Sequence, residues 1–147
     1  MLQMLGLFLL SVVHSAPTRP LSYEDAYHKA EQEEKVLLVV VGAEWCVACE
    51  KLKSGTLEPM QKAGKLDAVV MAQVDKDQQP ELAKAVMTGN TLPQLVAFRQ
   101  TKDGWKRFSL NGLQSEGRVE ELIRVADENA GSVKLANQQT VAEASAN

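Results

Sequence analysis

The hydrophobic pattern of the chain alternates between helix-type and strand-type segments. The first apolar stripe has the i, i+3, i+4, i+7 spacing of one helix face and consists of Tyr23, Ala26, Tyr27 and Ala30. Ser22 precedes this stripe and Asp25 follows three residues later, which is the capping-box pattern of a helix start. The spacing therefore predicts a helix that ends near Glu34.

The segment from Val36 to Val41 is an uninterrupted run of valine and leucine. Such a run is typical of a central strand that is covered on both faces, and Gly42 ends it. The later pattern predicts a helix that opens at 46 and has no breaker until Gly55, and then a short helix at 59–63. It further predicts a strand at 68–74, a helix at 80–86, strands at 94–98 and 105–110 around a turn at 102–104, and a last helix capped by Ser115.

Two of these helices have predicted core faces. The residues expected to face the core are Leu82, Ala85 and Val86 in the fourth helical segment, and Val119, Leu122, Ile123 and Ala126 in the last. Helices and strands that alternate first and a hairpin that follows imply parallel crossovers and then an antiparallel pair. We therefore expect an α/β fold, with a central mixed sheet of about four strands flanked by helices on both faces.

The two ends of the chain have a different composition. Met4 to Val13 is an apolar run of signal-peptide length, followed by Val13-His14-Ser15 before Ala16, a small-residue cleavage pattern. The run is shorter than the roughly 20 residues that span a bilayer. We expect a signal peptide at 1–15, a folded domain at 16–130, a disordered tail at 131–147, and a periplasmic or secreted location. No Lys or Arg precedes the run, so an uncleaved membrane tether is the alternative.

Composition limits the partners of this chain. Its 147 residues suit one domain, and 45% of them are hydrophobic, which is enough to bury a core. The net charge is −3 and the basic residues are scattered among acids, so nothing indicates binding to nucleic acid or anionic lipid. We expect a monomer with no membrane span once the signal is cleaved.

Both cysteines of the chain lie in one Cys-x-x-Cys segment, at Cys46 and Cys49. No other thiol remains for a structural bridge, so the pair indicates redox or metal chemistry. The segment follows a strand and opens a helix, where free backbone N–H groups and the helix dipole favour the thiolate of Cys46. Cys49 follows one turn later, close enough to form a disulfide with Cys46, and is expected to be the buried resolving thiol.

Metal binding and inert packing are the alternatives to redox chemistry for the dithiol. A structural zinc site needs four ligands, and the mature chain offers these two thiolates and His28, which we expect to be a solvated helix residue. Two soft thiolates could hold copper(I), so copper handling stays as an alternative, as does inert packing. The position between strand and helix favours redox chemistry, for which no metal and no bound cofactor are expected.

The predicted strand is followed by the segment Ala43-Glu44-Trp45-Cys46-Val47-Ala48-Cys49. This segment resembles the active site of the thioredoxin superfamily. Its Cys-Val-Ala-Cys variant resembles the C-terminal periplasmic domain of the transmembrane thiol-disulfide interchange reductase, which passes electrons to other thioredoxin-like proteins. The resemblance covers about residues 22–128 and is strongest at the dithiol and at Thr91-Leu92-Pro93.

The resemblance implies a thioredoxin-like fold and a protein-disulfide oxidoreductase. Cys46 would attack a disulfide of a client protein, Cys49 would resolve the mixed disulfide, and an upstream dithiol donor would restore the reduced form. A client-binding module of the same fold without turnover is the alternative function.

The resemblance also implies three substrate-binding residues. Pro93 corresponds to the family's cis-proline, which packs against the dithiol. Sequence alone favours a trans bond, and a proline at the start of a strand is the alternative, but the resemblance implies cis. The backbone of Leu92 would pair with an extended client segment. Trp45 would lie beside the reactive sulfur, unless it is an ordinary packing residue. Trp105, outside any motif, is expected to cover the sheet.

The chain departs from the family pattern at two places. Val40 stands where thioredoxins carry a buried aspartate, so Cys49 must lose its proton to water or to another carboxylate, with Glu44 the nearest in sequence. Val-Ala replaces Gly-Pro between the cysteines, and Glu44 and Glu50 add negative charge nearby. Negative charge disfavours the thiolate, which favours a role as a reductase.

Overall fold

The computed structural model describes residues 21–129. The expected signal peptide, the boundaries of the folded domain at 16 and 130, and the expected tail lie outside the described residues. In chain order the elements are α1 (Tyr23–Gln32), β1 (Val36–Gly42), α2 (Val47–Leu52), a π-helical turn (Lys53–Leu57), α3 (Glu58–Lys62), β2 (Val69–Asp75), α4 (Pro80–Val86), β3 (Gln94–Thr101), β4 (Gly104–Asn111) and α5 over residues 116–129.

The four strands form one mixed sheet in the order β2-β1-β3-β4. β1 pairs with β2 in parallel and with β3 in antiparallel orientation, and β3 and β4 form an antiparallel hairpin. This confirms the predicted α/β class, the mixed sheet and the hairpin. β1 is buried along its whole length because it lies between two strands and under helices on both faces.

The two faces of the sheet belong to two separate apolar clusters. On one face Leu38 and Val40 of β1 pack in a cluster with Leu52 of α2 and Val119 of α5. The alternate β1 residues pack on the other face with α1 and α4, in a cluster that includes Leu37, Val39, Val41, Ala26 and Ala83. Burial of each valine or leucine side chain of β1 contributes about 1.5–3 kcal/mol, so this strand holds both layers of helices.

The first helix begins as the sequence predicts. The Oγ of Ser22 accepts a hydrogen bond from the backbone N–H of Asp25 at 3.1 Å, which satisfies one of the free N–H groups of the first turn. His28 is a largely exposed helix residue. Trp105 packs over the sheet, with its ring centroid 5.0 Å from that of Tyr27. All three expectations are confirmed.

Two sequence predictions about helices are wrong in detail. Ala85 is exposed, and the buried face of α4 consists of Ala83, Val86 and Met87. This face is the predicted one shifted by one residue along the helix, so Val86 is buried in both. Gly55 was expected to break the helix that begins at the dithiol, but the helical path continues through it as the π-helical turn and joins α3. Glycine weakens a helix by only about 1 kcal/mol, so tertiary contacts of the neighbouring Thr56 and Leu57 outweigh it.

The fold brings three segment ends together at one edge of the sheet. The last residue of β1, Gly42, is paired with Asp75 at the end of β2, and Val41 is paired with Gln94 at the start of β3. The chain leaves this edge after Gly42 and enters α2 within a few residues. Residues around 43–49, 75–78 and 92–94 are therefore neighbours, although they are far apart in sequence.

Candidate active site

Cys46 and Cys49 form a disulfide at the start of α2, with their Cα atoms 5.2 Å apart. Cys46 is the N-cap residue of α2, and its Sγ accepts a hydrogen bond from the backbone N–H of Cys49 at 3.1 Å. Both cysteines are buried, but Cys46 is 7% exposed to solvent whereas Cys49 is 1% exposed. The geometry therefore gives the two sulfurs different access to a partner.

Gly42 allows the dithiol helix to lie close against the end of β1. A Cβ atom at this position would stand 3.3 Å from both the Cβ and the Sγ of Cys49, which is closer than ordinary van der Waals contact. The carbonyl of Gly42 also accepts a hydrogen bond from the N–H of Lys76 at 2.8 Å, which holds the turn after β2 beside the dithiol. The absence of a side chain here thus sets the depth at which Cys49 is buried.

Trp45 lies on the surface beside the dithiol, with 67% of its area exposed. Its indole Nε1 donates a hydrogen bond to Oδ2 of Asp77 at 2.7 Å. The loop that carries Asp77 is itself ordered by Asp75, whose Oδ1 accepts hydrogen bonds from the N–H groups of Asp77 and Gln78 at 2.9 Å each. The ring is therefore held in place although it is exposed.

The Leu92–Pro93 peptide bond is cis, as the resemblance implied. Leu92 is half-buried and packs against the small cluster that contains both cysteines and Ala43. Pro93 is buried, and its carbonyl accepts a hydrogen bond from the N–H of Gly112 at 2.7 Å. The structure thus brings Trp45, the dithiol and Leu92-Pro93 together in one region.

Glu44 is exposed at the rim of this region, and its Oε1 accepts a hydrogen bond from Nε2 of Gln78 at 3.3 Å. Val40 is 1% exposed and belongs to an apolar cluster with Leu52 and Leu95. The position of the family's buried acid is therefore occupied by a packed hydrocarbon side chain. The assignment of Glu44 as the proton acceptor of Cys49 stays a prediction.

Three residues near the dithiol or the cis proline carry no functional prediction from the sequence. Val47 and Leu113 are exposed by 70% and 54%, and with Trp45 they are the exposed large apolar residues among those the structure describes. Gln94 follows Pro93 directly and is fully buried. Gln94 could have been found in the sequence as the polar residue that begins an otherwise apolar strand. Leu113 follows a glycine in a loop, and no sequence pattern marks it as exposed.

The resolved pKa shifts belong to groups on other parts of the fold. The pKa of the Glu33 carboxyl is lowered, chiefly by its hydrogen bond with Lys35, whose Nζ lies 3.0 Å from Oε2 of Glu33. The pKa of Lys65 is raised by hydrogen bonds to Glu116 and Glu120, each at 2.9 Å. The first pair lies in the turn between α1 and β1, and the second joins the loop after α3 to α5.

Among residues 21–129 no group of three or more His, Cys, Asp or Glu side chains is arranged to hold a metal ion. Within the same range, no helix combines the length and the apolar character needed to cross a membrane.

Comparisons with known proteins agree on the fold. A sequence model of the family described as Thioredoxin-like matches residues 17–100. No curated protein matches the sequence. A thioredoxin from Thermus thermophilus superposes with a TM-score of 0.66 at 21% identity, covering 78% of this chain and 90% of the other.

Two further solved structures have the same fold. A thioredoxin of Trichomonas vaginalis gives a TM-score of 0.56 at 21% identity, with 72% of this chain and 92% of the other covered. A thioredoxin of Fasciola hepatica gives 0.54 at 21% identity, with 71% and 94% covered. At this level of identity the structural likeness shows the fold, while the family rests on the sequence model.

Proposed function

The chain belongs to the thioredoxin-like family, and from this premise we propose that it is a thiol-disulfide oxidoreductase that reduces disulfides of partner proteins. The observation that carries the proposal is the Cys46–Cys49 disulfide at the N-terminus of α2, in contact with the half-buried Leu92 before a cis proline. A dithiol placed this way can open and close without rearrangement of the backbone.

The proposed reaction passes two electrons from the dithiol to a client disulfide. The thiolate of Cys46 attacks one client sulfur, the client S–S bond breaks, and the released client thiolate takes a proton from water. Cys49 then loses its proton and attacks the Sγ of Cys46. This second step breaks the mixed disulfide, releases the other client thiolate and leaves Cys46–Cys49 oxidised.

Access and hydrogen bonding support Cys46 as the attacking thiol. Cys46 is the more exposed residue of the pair, and the N–H of Cys49 lies 3.1 Å from its Sγ. An N–H donor and the positive end of a helix both stabilise a thiolate. Cys49 is enclosed beside Gly42, so its partner in the second step is the neighbouring Sγ of Cys46 within the mixed disulfide.

The client-binding surface consists of exposed apolar side chains around the dithiol. Trp45 and Val47 flank Cys46 in sequence and are both mostly exposed, and Leu92 lies against the cysteines. The backbone of Leu92, ahead of Pro93, would pair with an extended client segment, as strand addition does at other sheet edges. An unfolded or flexible client with an accessible disulfide fits this surface.

Proton removal from Cys49 is assigned to water or to Glu44. With Val40 in the apolar cluster, no carboxylate stands at that position, and Glu44 is the nearest acid in sequence. We expect resolution of the mixed disulfide to be the slow step for this reason.

We further propose that the chain is exported and works outside the cytosol, with Ala16 as the first residue of the mature form. An upstream dithiol donor must then recycle the oxidised form. Mass spectrometry of the protein recovered after expression with its own N-terminus tests this, because cleavage after Ser15 gives one defined mass and an uncleaved tether keeps the full mass.

The function is tested by insulin reduction with dithiothreitol as electron source. Wild type should accelerate insulin reduction, and Cys46→Ser should remove at least about 100-fold of that acceleration. Cys49→Ser, reduced and then freed of dithiothreitol, should accumulate a mixed disulfide with insulin. A client-binding module would give no acceleration in wild type and equal insulin capture by Cys46→Ser. That result would contradict the proposal.

A further inference from the structure

Gln94 is a fully buried amide in the first position of β3, directly after Pro93. Only Thr56 and Arg99 share the combination of polar side chain and burial in the part of the chain that the structure describes. A buried amide is costly unless its donors and acceptor are all paired. The partners of Gln94 therefore indicate what it is there to hold.

The side chain of Gln94 makes three hydrogen bonds. Its Oε1 accepts from the N–H of Thr88 at 2.7 Å, and its Nε2 donates to the carbonyl of Thr88 at 2.9 Å and to Oδ1 of Asn111 at 2.7 Å. The N–H of Thr88 can only donate, so the amide orientation is fixed by this partner. Both amide protons of Gln94 are used.

These bonds join two loops on either side of the cis proline. Thr88 lies in the loop that leads from α4 to Leu92 and Pro93, and Asn111 is the last residue of β4, cross-strand from Gln94. A second bond, from the N–H of Gly112 to the carbonyl of Pro93, closes the same junction at 2.7 Å. Gln94 thus links the loop before Pro93 to the end of β4, where the Leu113 loop begins.

The loop after β4 is held from its other side as well. Nε2 of Gln114 donates to the carbonyl of Asn111 at 2.7 Å, and the carbonyl of Gln114 accepts from Oγ1 of Thr56 at 2.9 Å. Thr56 belongs to the π-helical turn that continues the dithiol helix. The exposed side chain of Leu113 is therefore presented from a loop anchored to both the cis-proline loop and the dithiol helix.

We propose that Gln94 is a positioning residue that fixes the Leu92 loop relative to the Leu113 loop, and thereby gives the dithiol its preference for disulfides within extended polypeptide over small disulfides. The inference rests on the proposed function. A polypeptide must contact the backbone of Leu92 and the exposed side chain of Leu113 at the same time, whereas a small disulfide needs only access to Cys46. Loss of the tie should therefore weaken binding of polypeptide and leave the sulfur chemistry intact.

The test uses the partner of Gln94, because Asn111 is exposed and its variants should fold. Asn111→Asp keeps an acceptor oxygen for Nε2 of Gln94, while Asn111→Leu removes it. Steady-state reduction is measured for insulin and for hydroxyethyl disulfide. For Asn111→Leu we expect KM for insulin to rise about fivefold to tenfold, which is the loss of one hydrogen bond, with kcat within about twofold of wild type.

The matched outcomes separate positioning from general damage. Asn111→Asp should keep the wild-type KM for insulin, and both variants should reduce hydroxyethyl disulfide at the wild-type rate. Gln94→Met removes all three hydrogen bonds and should raise KM for insulin more than Asn111→Leu does. Its thermal unfolding is recorded to show that the variant is folded. An unchanged KM for insulin in Asn111→Leu would overturn the role of Gln94. An equal loss of kcat/KM with insulin and with hydroxyethyl disulfide would also overturn it. Wild type that reduces neither disulfide would instead overturn the proposed function itself.

Discussion

At the scale of single residues, the chemistry depends on the unequal surroundings of two identical thiols. Cys46 caps α2 and keeps a path to solvent, whereas Cys49 is enclosed between the helix and Gly42. Val40 lies on the sheet face that packs against α2, where it belongs to a separate apolar cluster with Leu52 and Leu95. Cys49 is therefore shielded from other reagents, but it also lacks an acid at that position to accept its proton.

Replacement of Val40 by aspartate should speed the resolving step. Val40→Asp places a carboxylate on the sheet face that packs against α2, where it could accept the proton of Cys49. We expect faster release of client from the mixed disulfide in single-turnover experiments, together with a loss of about 3 kcal/mol in the free energy of unfolding from the buried carboxyl.

The matched control for this variant is Val39→Asp. Val39 is equally buried but lies on the opposite face of the sheet, with α1 and α4. It should lose a similar amount of stability, measured by urea unfolding, without faster release. Equal release rates in wild type and Val40→Asp would show that proton removal from Cys49 is not limiting.

At the scale of secondary structure, long-range ties from polar side chains fix the helices on the sheet. Arg99, near the end of β3, is 7% exposed, and its guanidinium donates to the carbonyl of Glu34 in the turn after α1. Its Nη2 also lies 3.5 Å from Oδ1 of Asp127 on α5. Glu34 has a φ of 51°, in the left-handed region, so this carbonyl is presented by an unusual turn that Arg99 holds.

Arg99→Met should therefore loosen both helices. The substitution keeps much of the side-chain volume but removes a charged donor from a part-buried hydrogen bond, for which we expect a loss of about 2 kcal/mol in the free energy of unfolding. Urea unfolding with an unchanged m value measures it. Lys106→Met, an exposed cation on β4, is the control and should change stability by less than about 0.5 kcal/mol. Equal effects of the two substitutions would contradict the structural role of Arg99.

At the scale of the whole molecule, topology gathers the reactive groups at one edge of the sheet. The parallel pair β1 and β2 ends beside the dithiol, and the antiparallel β3 begins there, so a turn, a helix N-terminus and a cis-proline loop converge. The charge near the dithiol is mainly negative, from Glu44 and Glu50, within a chain of net charge −3. Negative charge destabilises the thiolate of Cys46 and therefore the reduced form of the protein, which makes the couple a stronger reductant.

The reduction potential of the Cys46–Cys49 couple should therefore lie closer to about −270 mV than to about −120 mV, the two ends that such dithiols span. Equilibration with glutathione buffers, followed by alkylation, measures it. Removal of one charge in Glu50→Gln should raise the potential by less than about 30 mV, while Glu24→Gln on α1 should leave it unchanged. A wild-type value at the oxidising end would reverse the proposed direction of electron flow.

Local patterns predicted most of the fold. The valine and leucine run became β1, the stripe around Ala26 became α1, and the helix predicted over 80–86 has those bounds in the structure. These predictions succeed because the period of apolar residues depends on neighbours a few positions away. Ala85 and Gly55 were misjudged because rotation of a helix and its continuation through glycine are decided by what packs against it.

The sequence by itself determined the strand, the helix start and the two thiols between them, since all three lie within a short stretch of chain. Only the tertiary structure decided what surrounds the thiols. Trp45 meets Asp77 across 32 positions, and Gln94 meets Asn111 across 17. Such pairs are set by how the strands align in the sheet, a property of the whole packed chain that the periodicity of no single segment contains.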